Sequence, residues 1–335
     1  MKVEQLSLSQ HLWKDELLKI NISANVFLLF VSPDFSDKED LIKSLNKSYP
    51  NATVIGCSTA GEIYDFNVND QTVSLTAIQF DKVKHKKVSI TVNDMKCSYK
   101  AGQNLANDLN DPSLKHILIL SDGLNVNGAD LVSGLKSVVP DVSITGGLAA
   151  DGGKFEKTFV IDNEGVHDKK IIGLGFYGDA LKVGFSSKGG WDSFGIERLV
   201  TKSHKNILYE LDGKPALEVY KSFLGEEAKN LPSSGLLFPL SMWDNEDSIP
   251  LVRTILSISE EDQSLTFAGN IPQGSYVRLM KANIDRLING AESSAESAKL
   301  VTETADLAIL ISCVGRRLVL KQLIEEEVEV VRDVV

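Results

Sequence analysis

The stretch VFLLFVSPDFSDKEDLIKSLNKSYPNATVIGCSTAG at residues 26–61 aligns without a gap on HILILSDGLNVNGADLVSGLKSVVPDVSITGGLAAD at residues 116–151. The two copies lie 90 residues apart in the chain. The identical residues that establish the alignment are Leu28 and Leu118, Asp40 and Asp130, Leu41 and Leu131, Leu45 and Leu135, Pro50 and Pro140, Gly56 and Gly146, and Ala60 and Ala150. This self-similarity indicates a duplicated structural unit.

Each copy has the pattern of a strand, a loop, a helix, a second strand and a glycine-rich turn. In the first copy, Val26–Val31 is apolar throughout, and Leu41 and Leu45 mark one face of a helix that follows a capping box at 36–39. We therefore predict two parallel β-α-β units. The loops after the first strands and the turns after the second strands then meet at one edge of a sheet, where backbone amides can converge on a ligand.

A third, weaker copy is predicted at the end of the chain. Residues 306–313 (DLAILISC) are similar to the first strand of the second copy, and residues 317–327 can supply the following helix. The same register places the turn glycine two residues beyond Val335. We expect a unit that ends before its last strand and turn.

Composition favours an ordinary globular protein of two domains, with 335 residues, 43% apolar and 24% charged. The net charge of −11 argues against a nucleic-acid partner, which usually requires a basic face. Apolar runs are too short to span a membrane. The three cysteines are far apart and odd in number, which fits reduced thiols and a cytoplasmic location.

The remaining sequence predicts an α+β fold with mixed sheets. A polar segment rich in glycine and proline at 225–235 suggests a boundary between domains at 24–225 and 235–335. The predicted strands are 73–80 and 83–92, which form an antiparallel hairpin, and then 158–161, 171–177, 181–186, 198–202, 236–239, 250–257, 264–268 and 276–280. The predicted helices outside the copies are 215–224 and 283–300.

Several motifs, in this order, resemble the FIST family of sensory proteins over most of the chain. They are GCSTAGEI at 56–63, GGLAADG at 146–152, VTKSHKNILYELDGKPALEVY at 200–220, LVRTIL at 251–256, IPQGSYVRLM at 271–280, INGAESSAESA at 288–298 and SCVGRR at 312–317. The resemblance implies a FIST N-terminal and a FIST C-terminal domain that sense small metabolites such as amino acids. In the family the chain continues through another glycine-rich turn that this sequence lacks.

The resemblance also implies a partner in signalling. One branch of the family senses nitric oxide through b-type haem and regulates histidine kinases or cyclic-di-GMP enzymes. The motifs do not decide between that branch and a metabolite sensor, so both alternatives stay open.

The repeat places candidate ligand-binding residues at the strand ends. Backbone amides of a glycine-rich turn favour anionic groups such as a carboxylate or a phosphate, and arginine pairs with them bidentately. The candidates are Cys57, Ser58, Thr59, Gly61 and Glu62 in the first copy, Ser121, Asp122, Asn125, Gly147 and Asp151 in the second, and Arg253 and Arg316 beyond them. Tight turns alone would also explain the glycines and the Asp-Gly pairs.

Two stretches resemble known functional motifs, but the secondary structure predicted around them does not fit those motifs. Gly56, Ser58 and Ala60 approach the nucleophile elbow of a serine hydrolase, but an elbow leads into a helix and residues 62–66 are predicted to be extended. The matching residue of the second copy is Leu148, which cannot act as a nucleophile. GLGFYG at 173–178 lies within a predicted strand, not between a strand and a helix, which disfavours dinucleotide binding. A hydrolase that uses Ser58 is the disfavoured alternative.

The five histidines lack the spacing of a zinc site. Haem requires only one axial histidine and an apolar pocket, so spacing does not exclude it. His204 is the haem candidate because it lies in a family motif, and an exposed surface position is the alternative.

Overall fold

The computed structural model describes residues 1–244, 250–301 and 304–335. The helices are α1 (Trp13–Leu17), α2 (Lys38–Ser48), α3 (Ser98–Leu109), α4 (Gly128–Val138), α5 (Ala216–Leu224), α6 (Ile284–Lys299), α7 (Val314–Leu320) and α8 (Ile324–Val334). Short 3-10 helices occur at Met95–Cys97, Gly225–Asn230, Ser233–Leu236 and Lys321–Leu323.

The strands fall into two groups along the chain. Those of the first half are β1 (Lys2–Ser9), β2 (Val26–Val31), β3 (Thr53–Ser58), β4 (Glu62–Tyr64), β5 (Asn67–Asn69), β6 (Thr72–Gln79), β7 (Lys84–Thr91), β8 (Leu114–Ser121), β9 (Ser143–Leu148), β10 (Val160–Asp162), β11 (Gly165–His167) and β12 (Lys170–Tyr177). Those of the second half are β13 (Trp191–His204), β14 (Ile207–Leu211), β15 (Lys214–Pro215), β16 (Leu240–Trp243), β17 (Leu251–Arg253), β18 (Ile255–Ser259), β19 (Ser264–Phe267) and β20 (Tyr276–Ala282).

The duplicated β-α-β unit is confirmed. In the first copy β2 pairs in parallel with β3, and in the second copy β8 pairs in parallel with β9. The registers also correspond, because Val26 faces Thr53 and His116 faces Ser143, each 90 residues further along. The α+β class with mixed sheets is therefore confirmed as well, since antiparallel strands flank both parallel pairs.

The two copies belong to two sheets that pack face to face. The first sheet has the order β1-β6-β2-β3-β10-β11, and the second has the order β7-β12-β8-β9. Alternate residues of each central strand point to opposite faces. Leu28 and Leu118 lie in the core between the sheets, whereas Leu29 packs beneath α2 and Ile119 packs beneath α3 and α4. Helices thus cover the outer face of each sheet.

A glycine in each copy permits the close approach of its two parallel strands. A Cβ atom on Gly56 would overlap the carbonyl oxygen of Leu29, and a Cβ atom on Gly146 would overlap that of Ile119. The two contacts occupy the same position in the two copies, since Gly56 aligns with Gly146 and Leu29 aligns with Ile119. Gly146 also has φ +142°, a conformation that other residues rarely adopt.

The second half of the chain forms a sheet that closes on itself. Its order is β17-β16-β20-β13-β14-β19-β18, and β15 pairs with β14. β17 pairs with β16, and β18, which begins two residues after β17 ends, pairs with β19. The two outermost strands are thus consecutive parts of one chain segment. The interior holds one apolar core that includes Leu208, Phe267 and Leu279, with α5 packed on it.

Strands on both sides of the predicted boundary at 225–235 contribute to this closed sheet. β13 and β14 come before the boundary, and β16 to β20 come after it. The limits of 225 and 235 stay a prediction about the domains.

The predicted hairpin of residues 73–80 and 83–92 is wrong. Both segments are strands, but β6 pairs with β1 on one side and β2 on the other, so neither of its edges is free. β7 instead pairs with β12 in the second sheet. The chain crosses from one sheet to the other between residues 80 and 83.

The predicted capping box at 36–39 is also wrong. The helix begins at Lys38 with Asp37 as its N-cap residue, and the Ser36 hydroxyl donates to the Asp37 carboxylate at 2.8 Å. The other oxygen of Asp37 accepts from Trp13 Nε1 at 2.9 Å. The Asp37 carboxylate makes no capping hydrogen bond to α2, but it ties α1 to the start of that helix.

Three predicted strands are not strands. Residues 181–186 lie against α6, where a Cβ atom on Gly184 would overlap the carbonyl oxygen of Ala298. Residues 236–239 follow a 3-10 helix, and β16 begins only at Leu240. Residues 306–313 have no regular structure, and β20 is the last strand among the residues described. GLGFYG does lie within β12 up to Tyr177, as predicted.

We predict that Gly56→Ala lowers the free energy of unfolding by about 1–3 kcal/mol, because the added methyl group must separate β2 from β3. Gly146→Ala should cost at least as much, since its φ is unfavourable too. The measurement is urea denaturation of the purified variants.

Gly189→Ala is the matched control. The nearest atom to its added Cβ would be 4.0 Å away, so we expect a change within about 0.5 kcal/mol. Equal stability of all three variants would show that the strands do not require glycine.

Candidate ligand site at the strand ends

The two glycine-rich turns lie side by side. We call residues 58–61 the first corner and residues 148–153 the second corner. The amide of Ala150 donates to the carbonyl oxygen of Ser58 at 2.9 Å, and the amide of Ala149 donates to that of Ser121 at 2.8 Å. The strand ends of both copies therefore share one rim.

A cavity of about 740 Å³ opens between this rim and the second half of the chain. We call it the corner cavity. Six of the predicted site residues line it, and they are Cys57, Ser58, Thr59, Gly61, Gly147 and Asp151. Its opposite wall is formed by Leu236, Leu256, residues 305–314 and Arg317.

A second cavity of about 1240 Å³ adjoins the inner sheet faces, and we call it the sheet cavity. Ser121, Gly147 and Arg316 line it, together with His116. Residues 305–312 line both cavities and so form a common wall. Glu62, Asp122, Asn125 and Arg253 line neither of them.

Side chains of the first corner are largely engaged within the fold. Ser58 Oγ accepts from the amide of Phe159 at 3.0 Å, and Thr59 Oγ1 donates to Glu62 at 2.6 Å. The other carboxylate oxygen of Glu62 accepts from the amide and the hydroxyl of Thr72 at 3.1 and 3.0 Å. Burial raises the pKa of Glu62, and it raises the pKa of the Cys57 thiol to about 12. A thiol with that pKa is not a nucleophile at neutral pH.

The backbone of the first corner keeps free donors. In the part of the chain that the structure describes, the amides of Ala60 and Gly61 donate to no protein acceptor. Arg317 of α7 lies directly against them, since a Cβ atom on Gly61 would be 2.7 Å from Arg317 Cζ. Its guanidinium donates to the carbonyl oxygen of Ala60 and, at 2.6 Å, to the carboxylate of Asp70.

The aspartates of the second copy organise their own loops. One carboxylate oxygen of Asp151 accepts from Phe155 N, and the other accepts from Glu156 N and Lys157 N, at 2.7–3.0 Å. Asp122 accepts in the same way from the amides of Leu124, Asn125 and Lys169 and from the Asn125 side chain, at 2.6–3.1 Å. Both carboxylates are buried, so they are not available to a ligand.

The two predicted arginines are likewise engaged. Arg253 Nε donates to the carbonyl oxygen of Asn270 at 2.8 Å, and burial lowers its pKa. Arg316 is buried and forms an ion pair with Glu327 at 2.5 Å, while its guanidinium also donates to Leu287 O. Neither is placed as an anion clamp.

Two family models together cover almost the whole chain. The FIST N domain model matches residues 25–214, and the FIST C domain model matches residues 216–335. The chain belongs to the FIST family. FIST domains are associated with sensing and signalling. Among the residues described, no helix combines the length and the apolar character needed to cross a membrane.

A relative in Methanocaldococcus jannaschii, the uncharacterized protein MJ1623, is 26% identical over 345 aligned positions. The alignment covers 93% of this chain and 64% of the relative. The chain thus spans less than two thirds of the length of that protein.

The two FIST domains also meet at a polar contact that the sequence did not predict. The amide side chain of Asn270, in the FIST C domain, accepts from Asn127 and donates to Asp130, both at 2.7 Å. Lys205 donates to the second oxygen of Asp130 at 3.0 Å. Asn127 caps α4, so the second copy is fixed to the FIST C domain at the end of its helix.

The position of Arg317 at the first corner was not predicted from the sequence. The contact joins residues 257 positions apart, and no local pattern could have indicated it. A second missed cluster combines Asp162, Glu164 and His167, whose ligand atoms lie within 4.8 Å of one another. Lys170 Nζ is 2.6 Å from Asp162, so an ammonium group already balances this carboxylate.

The residues described do not fit a haem held by His204. Its side chain is exposed and lines neither cavity. His116 does line the sheet cavity, but its ring nitrogens are 2.7 Å from Ser143 Oγ and 2.9 Å from Thr145 Oγ1. No nitrogen of either residue faces an apolar pocket as an axial ligand would.

The geometry of a serine hydrolase is also missing at Ser58. The chain continues from the first corner into β4, as predicted, and not into a helix. The Ser58 side chain is 1% exposed, and no histidine in the described ranges forms a hydrogen bond with it.

We predict that His116 makes stability depend on pH. Burial lowers its pKa to about 4, so the folded state disfavours the protonated ring. Its contribution is complete above about pH 6.5 and is lost as the pH falls from 6.5 towards 4. The expected loss of unfolding free energy over this window is on the order of 3 kcal/mol.

The check is urea denaturation at several pH values for the wild type and for His116→Gln. The variant should lack this part of the pH dependence, because glutamine does not titrate. The same pH slope in both proteins would contradict the assignment.

Proposed function

We propose that this protein is a sensor that binds a small organic anion in the corner cavity and passes its occupancy to a signalling partner. The observation that carries the proposal is the meeting of three kinds of group at the first corner. They are the free amides of Ala60 and Gly61 in the FIST N domain, the guanidinium of Arg317 in the FIST C domain, and a cavity beside them.

Adjacent backbone amides and an arginine suit a carboxylate or a phosphate group. Amides in a concave turn carry partial positive charge towards an anion, and a guanidinium can bind two anion oxygens at once. The rest of the ligand would contact a mainly apolar wall that includes Phe30, Leu148 and Leu256. A volume of about 740 Å³ is in the usual range for small-molecule sites.

Arg317 gives the cavity a way to report occupancy. Its guanidinium pairs with Asp70 and with the carbonyl oxygen of Ala60. A ligand anion at the corner competes with Asp70 for the guanidinium. Because Arg317 lies on α7 and Asp70 lies in the FIST N domain, this exchange of partners changes the bonds between the two domains. A ligand shifts such an equilibrium only by its different affinity for the two states.

The proposed partner is a signalling protein such as a histidine kinase or a cyclic-di-GMP enzyme. The two FIST models account for residues 25–335, so we assign the output reaction to another polypeptide or to a further part of a longer one. The small metabolites expected for the family, amino acids among them, satisfy the requirement for a carboxylate.

The test is a thermal-shift screen of the full chain with short carboxylic acids, amino acids and phosphate monoesters. A compound at about 100 times its Kd should stabilise the protein by about 2.7 kcal/mol. Arg317→Ala should then weaken binding about tenfold to a hundredfold, because hydrogen bonds to a charged group contribute about 1.5–3 kcal/mol.

Asp70→Asn provides a test of opposite sign. It removes the competing carboxylate, so the same compound should bind more tightly than to the wild type. Its side chain is 71% exposed, so little loss of packing is expected. Arg332→Ala is the matched control, because Arg332 also lines the corner cavity but donates to Asp333. Weaker binding in both Arg317→Ala and Asp70→Asn would contradict competition at the guanidinium.

A further inference from the structure

One segment of the chain has the sequence of a β-strand but not the structure of one. Residues 306–312, which we call the strap, contain the run LAILI at 307–311. Such a run favours a β-strand, yet the strap has no regular structure. Ile309 and Ile311 are 41% and 51% exposed. Within the ranges that the structure describes, the backbone of residues 305–311 makes no hydrogen bond to the protein.

β9 has an unpaired edge that such a segment could fill. It is the last strand of the second sheet, and no described strand pairs with its outer edge. Unpaired amide and carbonyl groups along such an edge are a template for another strand.

The strap lies over the inner face of this strand. A Cβ atom on Gly147 would point out of that face and be 3.1 Å from Ile311 Cγ2. Gly147 and the strap residues each line both the corner cavity and the sheet cavity. The strap is therefore next to the last strand of the sheet, but among the described residues it has no backbone hydrogen bond to the open edge.

We infer that the strap alternates between this unpaired form and a strand hydrogen-bonded to the outer edge of β9. In the paired form the second sheet has a fifth strand, and the wall between the two cavities is closed by a backbone ladder. Pairing gives the backbone groups of both segments protein partners, which they otherwise lack. This inference does not depend on the identity of any ligand.

The occupant of the β9 edge is the chain's own strap and not that of a second copy. The strap is tethered between α6 and α7 next to the edge, and its high effective concentration favours pairing within one molecule. Arg317 follows the strap by five residues, so docking of the strap constrains α7 at the first corner.

The experiment is hydrogen–deuterium exchange of the full chain, followed on peptides that cover 143–148 and 305–312. An open edge leaves about half of the β9 amides exchanging at the unprotected rate, because alternate amides of an edge strand point outward. With the strap paired in about nine-tenths of molecules, the outward amides of β9 and the amides of the strap that face them should be protected about tenfold, and pairing in about half of the molecules should protect them about twofold.

Two proline variants identify the strap as the source of protection. Successive amides of a strand point to opposite sides, so either Ile309→Pro or Leu310→Pro removes a donor that faces β9. At least one should accelerate exchange at 143–148 about tenfold, with exchange in β8 and α4 unchanged. Ile309→Val is the control and should match the wild type.

Unprotected exchange of half of the β9 amides in the wild type would overturn the inference whatever the variants do. Protection that rises with protein concentration would also overturn it, because a second copy would then be the occupant. Neither result bears on Arg317, so failure here is distinguishable from failure of the proposed anion site.

Discussion

The hydrogen bond from Ala150 N to the carbonyl oxygen of Ser58 joins the two copies where their second strands end. Each strand reaches this point through a glycine that lets its backbone contact the preceding strand, Gly56 against Leu29 and Gly146 against Ile119. The sheets of the two copies pack face to face, so their carboxyl ends emerge together. The rim, the corner cavity and the contacts with the FIST C domain all depend on this juxtaposition.

Buried carboxylates then rigidify the rim. Asp122, Asp151 and Glu62 each accept three or more hydrogen bonds from neighbouring donors. A buried carboxylate without such partners would be far too costly. Residues that resemble a binding site in the sequence therefore hold the loops in place. The groups that the proposed site offers a ligand are backbone amides and one arginine, which carry no sequence signature.

The repeat made the local architecture predictable, and competition for strand edges limited the prediction. The 90-residue offset correctly located β2, α2 and β3 and their counterparts β8, α4 and β9. It could not show that β6 has both edges occupied, and so the hairpin with β7 was wrong. The corners were found because strand ends of parallel units share an edge. Arg317 and Asn270 were not found as parts of the rim, since their positions follow from how the domains dock.

β13 and β14 of the FIST N domain pair with β20 and β19 of the FIST C domain, and two side-chain contacts of different strength join the β-α-β copies to the FIST C domain. At the second copy, Asn270 bonds to the buried side chains of Asn127 and Asp130, and the loss of this contact would leave buried polar groups unpaired at about 1–3 kcal/mol each. At the first copy, Arg317 pairs with Asp70, whose carboxylate is 71% exposed, and such a pair contributes only about 0–1 kcal/mol. An anion enclosed in the cavity is less screened by water than Asp70 is. In the proposed sensor, such an anion would replace the weaker contact while the Asn270 network and the strand pairing keep the domains in register.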